Sequence, residues 1–343
     1  MAGQPTDTYD AYDAGTSNRE DLADIIYNIA PTETPFLMGA QRGTATNKKH
    51  EWLVDDLETS AGNLQIEAED YAGEARTSPV RLHTYTQISA KALTVSGTQE
   101  VIDKAGRKSE IAYLLALQAK EIKRDMERQI VGLMSTTDAT AFGGVAGESY
   151  PLSPGTPGGA SARSTGCLRA WYETNTSLGV GGVDNGHSIQ QPDDDDNTSE
   201  GTPRALLESQ VKAMIRDAWT EGGNPTTIIT NPFNKQAMSA FTGGTTRFDH
   251  SEDKRLVTAI DIYVSDFGEH RIIPDRFLKN ENSDTALVHI LDMNYWCIDY
   301  LRPFQQTPLA KTGDSEKRLL LVEWALVSKN EKASAVVADV SLT

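Results

Sequence analysis

Cysteine is scarce in this chain, and the patterns that bind metals are missing. The 343 residues include two cysteines, Cys167 and Cys297, whose separation fits neither a metal site nor a redox pair. We therefore expect two reduced thiols in the core. None of the six histidines has a partner at zinc-like or helical spacing, and these are His50, His83, His187, His250, His270 and His289. The sequence predicts no metal centre.

Catalytic and cofactor motifs are also missing. The sequence contains no nucleophile elbow, phosphate loop or dinucleotide fingerprint. The glycine-rich stretch from Phe142 to Gly147 lacks the lysine and the strand–turn–helix setting of a phosphate loop. The densest mixed cluster, Asp249-His250 with Glu252-Asp253, lies on a turn that we expect to be exposed. We expect neither an enzyme nor a bound cofactor.

Positive charge and long apolar runs are in short supply. The 49 acidic residues outnumber the 32 basic ones, which gives a net charge of −17. No stretch is strongly basic, so we expect no sequence-specific nucleic-acid binding, and an acidic surface would repel packed nucleic acid. No run approaches the ~20 apolar residues of a membrane span, and the N-terminus does not resemble a signal peptide. We therefore expect a product of the cytosol with no membrane segment.

One long amphipathic helix, the spine helix, is predicted between Ser109 and Met134. Its apolar residues recur every three or four positions and so share one face. Ser109 fits an N-cap, and Glu110 places negative charge in the first turn. The opposite face is predicted to be either solvated or docked on another subunit, and it carries Lys120, Glu121, Lys123, Arg124, Asp125, Glu127 and Arg128.

The chain before the spine helix is predicted to form an arm and then an extended ribbon. A short amphipathic helix is expected from Arg19 until Pro31, and Pro35-Phe36-Leu37-Met38 forms an apolar hook. Strand-like sequence runs through residues 50–54 and returns through residues 80–95. A two-stranded ribbon of this length cannot stand without packing. It must therefore lie on its own domain or on a neighbour.

The ribbon carries charge of one sign. From residue 51 to residue 74 there is no base, and the acids are Glu51, Asp55, Asp56, Glu58, Glu67, Glu69, Asp70 and Glu74. Calcium binds clustered carboxylates, but the ordered spacing of a calcium loop is missing. The pattern favours a solvated or docking surface over a metal site.

The second half alternates loops with short elements. Asp138 to Pro203 is rich in Gly, Pro, Ser and Asp, and one packed element is expected near Leu168, Trp171 and Tyr172. A helix starting at Thr202-Pro203, a strand, and a helix capped by Asn231-Pro232 predict a small α/β layer. Further strands are predicted at Asp261–Ser265, Arg271–Ile273, Thr285–Leu291 and Trp296–Leu301, with a last hairpin of Arg318–Ser328 and Ala333–Val340.

A series of segments resembles the major capsid proteins of tailed bacteriophages. Near the N-terminus these are Leu22-Ala23-Asp24-Ile25-Ile26 and Thr34-Pro35-Phe36. In the second half they are Gly166 to Trp171 with Thr174-Asn175, Ala218-Trp219 before Gly222-Gly223, VSDFGEHRIIPDRFL, Leu301-Arg302-Pro303-Phe304, and LAKTGDSEKR before Glu323 and Asn330-Glu331. The order and spacing of these segments carry the resemblance, which spans about Arg19 to the C-terminus.

The resemblance implies an α+β fold of the Hong Kong 97 type. Its parts fall on residues 1–45 as the N-terminal arm, 46–96 as the extended loop, and 97–203 as the peripheral domain with the spine helix and an insertion. Residues 204–310 would form the axial domain, and residues 311–343 would return to the peripheral domain. We expect the apolar face of the spine helix to pack on the C-terminal hairpin.

The implied function is self-assembly into hexamers and pentamers of an icosahedral head around double-stranded DNA. The implied partners are other copies of the chain, portal and scaffolding proteins and possible decoration proteins. The implied location is the virion capsid, with the host cytoplasm during assembly. Two alternatives stay open: another virion component of the tail or decoration type, and a soluble hydrolase or carboxylate-metal protein.

One subunit interface is predicted, in which the acidic ribbon docks on basic side chains of an adjacent spine helix. Exposed ion pairs contribute only ~0–1 kcal/mol each, so number and register would decide. The candidate residues are Trp52, Glu67, Glu69, Asp70, Arg76, Arg81, Lys120, Lys123, Arg124 and Arg128.

Overall fold

The structure is a computed structural model. It describes residues 32–58, 60–68, 70, 73, 76, 78–104, 106–133, 150–156, 162–183, 201–241, 261–278 and 285–341. The predicted helix after Arg19, the glycine-rich stretch of residues 142–147 and the Asp249-His250 cluster lie outside these residues.

Helices and strands alternate irregularly along the described chain. The helices are α1 (Pro35–Gly39), α2 (Gly97–Val101), α3 (Glu110–Val131), α4 (Glu208–Thr220) and α5 (Pro232–Ser239). Short 3₁₀ turns lie at Arg169–Trp171, Met293–Tyr295 and Glu331–Ala333. The strands are β1 (Gln41–Thr44), β2 (Lys49–Val54), β3 (Val80–Tyr85), β4 (Gln87–Ser96), β5 (Leu152–Ser153), β6 (Ser164–Thr165), β7 (Thr176–Ser177), β8 (Thr227–Thr230), β9 (Ile262–Ser265), β10 (Gly268–Pro274), β11 (Thr285–Leu291), β12 (Trp296–Pro308), β13 (Ser315–Ser328) and β14 (Ala335–Ser341).

A four-stranded sheet in the order β1-β12-β13-β4 supports the spine helix. The antiparallel pair of β12 and β13 is its longest part, and β4 pairs antiparallel with β13 from Ser315 to Trp324. The predicted strand at Trp296 therefore continues past Leu301 to Pro308. Helix α3 packs on β4 and β13.

A six-stranded sheet in the order β7-β14-β11-β8-β10-β9 forms the second layer system. Helices α4 and α5 share a core with one face of it, which confirms the predicted helix–strand–helix layer. Asn231 caps α5 by accepting a hydrogen bond from the N–H of Asn234, as its sequence predicted. The predicted hairpin of β9 and β10 is also present, and its turn requires Gly268, whose φ is +140°.

The spine helix, α3, begins where its sequence predicted. The hydroxyl of Ser109 accepts a hydrogen bond from the N–H of Ala112 and so caps it. Its second half buries Ile122, Met126 and Ile130, whereas Ile111 and the leucines of the first half are only half-buried. The prediction that Glu127 lies on the outer charged face is wrong. That residue is fully buried because it accepts hydrogen bonds from the backbone of α1.

The predicted C-terminal hairpin does not form. β13 and β14 are separated by the 3₁₀ turn Glu331–Ala333 and belong to different sheets, so the chain crosses from one layer to the other. Both strands are apolar and buried, and a sequence of this kind fits either arrangement. The spine helix therefore packs on only one of the two predicted strands, β13.

The predicted helix start at Thr202-Pro203 is also wrong. Helix α4 begins at Glu208, because the backbone before it is engaged by β14. The N–H of Arg204 donates to the carbonyl of Asp339, and the N–H of Ser341 donates to the carbonyl of Arg204. Residues near Leu168 do pack as predicted, with Leu168, Trp171 and Tyr172 all buried in the main core.

Candidate assembly surfaces

The base of the ribbon is anchored on its own chain. β2 and β3 pair antiparallel from Lys49 opposite Tyr85 to Val54 opposite Val80. The half-buried Trp52 ring lies 5.7 Å from the ring of Trp171, measured between centroids. Nε2 of His50 lies 3.0 Å from Oδ2 of Asp299, which belongs to β12. These contacts fix the direction in which the ribbon leaves the body.

Beyond Val54 the ribbon exposes large apolar side chains. Leu57, Leu64 and Ile66 are 90%, 96% and 71% exposed. Single exposed apolar residues are common, but three on one extended segment point to a surface that another molecule covers. The sequence interpretation described the ribbon as poor in large apolar residues and missed these three. The available signal was their isolation within a polar, acidic stretch.

The acids of the ribbon lie in water around these apolar residues. Glu67 and Asp70, both predicted interface residues, are exposed, as are Asp55 and Glu58, whereas Glu69 and Glu74 lie outside the described residues. Asp56 contacts its own body, since its Oδ2 lies 3.2 Å from Nζ of Lys332. The acidic charge of the segment is therefore largely available to a partner.

The two predicted arginines of the ribbon are also on the surface. Arg76 is exposed, and Arg81 on β3 lies 3.9 Å from Glu51 across the strand pair. A hydrogen bond from Lys49, with the nearby charges of Lys49 and Arg81, holds the pKa of Glu51 below its usual value although burial opposes this. The first part of the ribbon is thus electrically paired within the chain, and its outer part is not.

The spine helix presents a strip with more positive than negative charge. Lys120 and Lys123 are exposed, and Arg124 and Arg128 are half-buried. Nζ of Lys123 lies 6.0 Å from the centroid of the Phe304 ring, which adds an aromatic face to the strip. We call Lys120, Lys123, Arg124 and Arg128 the basic strip.

The acids beside the basic strip are paired with a lysine of β4. Nζ of Lys91 lies 3.0 Å from Glu121 and 2.8 Å from Asp125. Burial works against the charged form of Lys91, but hydrogen bonds to Asp125 and Glu121 leave its pKa raised. Because Lys91 compensates these acids, they take little positive charge from the basic strip.

A cleft of about 390 Å³ lies between β4 and α3, next to the basic strip. Its lining combines an apolar floor with charged walls and includes Ala90, Lys91, Ile122, Asp125 and Arg128. Its volume exceeds that of a leucine side chain. Within one chain, the described ion pairs include none between Glu67 or Asp70 and Lys123 or Arg124, so the two surfaces are available to be joined between copies.

The described residues hold no group of three or more His, Cys, Asp or Glu side chains arranged for a metal ion. Cys167 and Cys297 are buried and free, as predicted. Burial raises the pKa of Cys167 to about 11 and that of Cys297 to about 12, so both thiols stay protonated. None of the described helices is long and apolar enough to cross a membrane.

Comparison with known proteins gives the same answer for nearly the whole chain. Residues 4–341 match the family model described as "SU10 major capsid protein". The major capsid protein of Escherichia phage Phieco32 is 26% identical over 336 residues, which covers 92% of each chain.

Solved structures show the same fold. The capsid asymmetric unit of cyanophage A-1(L) is 14% identical with a TM-score of 0.61, covering 94% of this chain and 97% of that one. Mycobacterium phage Bobi is 14% identical with a TM-score of 0.55, covering 96% and 97%. The holo-SrpI encapsulin complex from Synechococcus elongatus PCC 7942 is 12% identical with a TM-score of 0.53, covering 100% and 98%. The chain therefore has the α+β Hong Kong 97-type fold that its sequence implied.

Proposed function

The chain belongs to the SU10 major capsid protein family, and from this premise we propose that its copies assemble as hexamers and pentamers. It is a major capsid protein, the repeated subunit of an icosahedral phage shell. The single observation that carries this role is the family match over residues 4–341. Double-stranded DNA is the proposed content, and the net charge of −17 suits a wall that must not bind packed DNA tightly.

The proposed division of labour follows five segments. Residues 1–45 are the N-terminal arm, 46–96 the extended loop, 97–203 the peripheral domain, 204–310 the axial domain and 311–343 the return. The ribbon strands β2 and β3 support the second segment, and α3 supports the third. The last segment serves both sheets, because it supplies β13 to one and β14 to the other.

The ribbon of one subunit docks, in this proposal, on the basic strip and the adjoining cleft of a neighbour. The exposed apolar side chains Leu57, Leu64 and Ile66 supply most of the free energy, since burying one such side chain stabilises a contact by about 1.5–3 kcal/mol. The acids Glu67, Glu69 and Asp70 supply register and orientation, because exposed ion pairs contribute ~0–1 kcal/mol each. Trp52, Arg76 and Arg81 lie nearer the ribbon base and would line the edge of the contact.

Further partners are proposed from the family role. A portal protein, a scaffolding protein and possible decoration proteins complete such a shell, assembly takes place in the host cytoplasm, and no membrane takes part. Many weak contacts repeated around a closed shell give a large total stability.

Electron microscopy of the purified chain tests the assembly itself. Negatively stained samples are expected to contain closed shells or ring-shaped capsomers. Tubes or lasting monomers at concentrations of about 10 µM, where contacts of micromolar strength associate, would point to a tail or decoration component instead.

Charge reversal tests the register of the ribbon. Changing Glu67, Glu69 and Asp70 together to Lys is expected to impair shell formation strongly at low salt, because the ribbon then repels the basic strip, and higher salt should restore part of it. The matched control replaces the same residues by Gln, Gln and Asn, which removes attraction without adding repulsion and should cause the milder defect. Light scattering measures assembly, and circular dichroism checks that the subunit is folded. Normal shells from the reversed variant at low salt would refute the docking model.

A further inference from the structure

Two carboxyl groups lie buried together where three parts of the chain meet. Glu127 is on the spine helix and Asp275 follows β10, and these residues are 0% and 1% exposed. Their carboxyl groups are within hydrogen-bonding reach of each other. The segment Thr34–Ala40, which contains α1, packs against the same point and is called the hook below.

The hook is attached through Glu127. Oε1 of Glu127 accepts a hydrogen bond from the N–H of Phe36 at 2.6 Å, and Oε2 accepts one from the N–H of Leu37 at 2.9 Å. Hydrogen bonds of backbone N–H groups to an ionised carboxylate are stronger than those to a neutral acid. The Phe36 ring is fully buried and meets the ring of Trp296 edge-on at 6.2 Å. Geometry therefore favours the charged form of Glu127.

Asp275 is satisfied on one side only. Its Oδ1 accepts a hydrogen bond from the N–H of Phe277 at 2.8 Å. Its Oδ2 is buried and receives no donor from the described residues. A buried oxygen facing another carboxylate without a donor is costly, and a proton on it removes both the repulsion and the missing hydrogen bond.

The surroundings offer these carboxyls no compensating cation among the described residues. Asp275 is the charged group whose field acts on Glu127, and it has the same sign. Arg124 and Arg128 of the spine helix lie toward the surface, and Arg276 and Glu33 are exposed. Burial lowers the pKa of His289, near the end of the spine helix, to about 4, so that ring is neutral. Burial raises the pKa of both carboxyls, and the charge of Asp275 raises that of Glu127 further.

We propose that Glu127 and Asp275 share one proton, and that this proton holds the hook on the spine helix. The proton sits on Oδ2 of Asp275, which donates to the Glu127 carboxylate, while Glu127 accepts from Phe36 and Leu37. Loss of the proton leaves two facing carboxylates, whose repulsion loosens the hook. The docking of the N-terminal arm at this point is thereby linked to pH.

The direction of this linkage follows from the raised pKa values. The docked state binds one proton more than the undocked state, in which both acids regain water and ionise near their ordinary pKa values. Docking is therefore complete at acidic pH and weakens by about tenfold per pH unit above the undocked pKa values. It levels off once pH exceeds the upper pKa of the docked pair.

Hydrogen exchange of the full-length protein tests the proposal. Protection of the hook amides, Phe36 and Leu37 above all, is measured by mass spectrometry from about pH 5 to about pH 9 and corrected for intrinsic exchange. The wild type is expected to lose protection by at least about tenfold across this range. Asp275→Asn keeps a donor that cannot ionise, so its hook should stay protected at every pH. Asp103→Asn, which changes an exposed acid, is the matched control and should retain the wild-type profile.

Infrared spectroscopy of the wild type provides a second measurement that needs no variant to fold. A protonated carboxyl should persist at neutral pH, where exposed acids are ionised, and its carbonyl band should disappear as hook protection falls. Wild-type protection that does not change with pH, or the absence of a protonated carboxyl band at neutral pH, would overturn the proposal. An Asp275→Asn variant that folds and still follows the wild-type profile would overturn it as well.

Discussion

Replacing Leu57, Leu64 and Ile66 together with serine is expected to abolish shell assembly while the subunit stays folded. The three side chains are almost entirely in solvent, so truncating them removes little packing within the chain. If a neighbour buries them, the loss is about 5 kcal/mol or more per ribbon, at about 1.5–3 kcal/mol for each side chain. A loss of about 4 kcal/mol already corresponds to a thousandfold weaker association.

Sedimentation velocity and negative-stain microscopy measure this effect, and thermal unfolding of the subunit is expected to be unchanged. The matched control is Asn63→Ser with Gln65→Ser, which alters polar, exposed neighbours of Leu64 in the same segment. This control should assemble normally. Shells in normal yield from the apolar triple variant would show that the ribbon is not anchored by these residues.

Glu323→Ala is expected to lower the free energy of unfolding of the subunit by about 2–3 kcal/mol. Glu323 on β13 is buried and accepts hydrogen bonds from Arg163 at 2.6 Å, Arg302 at 2.7 Å and Thr86 at 3.0 Å. Removing one partner of a buried ion pair costs about 3–5 kcal/mol, because the other charge is left unpaired. The expected value is smaller here because Arg302 is about half exposed and can regain water.

The same group predicts a pH dependence. Burial alone would raise the pKa of Glu323, but hydrogen bonds from Arg302, Thr86 and Arg163 hold it below its usual value. Its stabilisation is therefore present above the ordinary pKa of a glutamate and is lost as pH falls through the lowered value. Urea unfolding at neutral and acidic pH should show the difference between wild type and variant shrinking in acid.

Glu316→Ala is the matched control for Glu323→Ala. Glu316 lies on the same strand, and its carboxylate forms exposed pairs with Lys311 and Arg318, both at 3.3 Å. Exposed pairs contribute ~0–1 kcal/mol, so this variant should be close to wild type. Equal destabilisation by the two variants would contradict the assigned role of the buried cluster.

The two surfaces of the proposed interface differ in how far the sequence revealed them. The charges of the ribbon and of the spine helix were predicted, because runs of acids and i, i+4 patterns are visible along the chain. The apolar residues Leu57, Leu64 and Ile66 were not, because a leucine in a polar stretch says nothing about its exposure. Since each buried apolar side chain stabilises a contact more than an exposed ion pair does, these three residues outweigh the acids in the proposed interface.

Local elements were predictable where the determining contacts are local. Ser109 caps the spine helix and Asn231 caps α5 through hydrogen bonds to backbone groups three residues away. The hairpin at Asp266-Phe267-Gly268 depends on a glycine that allows a positive φ. The order of the segments from Leu22 to Glu331 was sufficient to indicate the Hong Kong 97-type fold and the role in a capsid.

Contacts between distant segments could not be predicted in this way. Glu127 repeats with its charged neighbours along the helix, yet it is buried because α1, 91 residues away in sequence, donates Phe36 N–H to it. β13 and β14 have the sequence pattern of a hairpin, yet each pairs in a different sheet. Which segments are helical, extended or charged was legible in the amino-acid order, since those properties follow from residues within a few positions. Which strands pair, and which charge is buried, depends on partners that only the folded chain brings together.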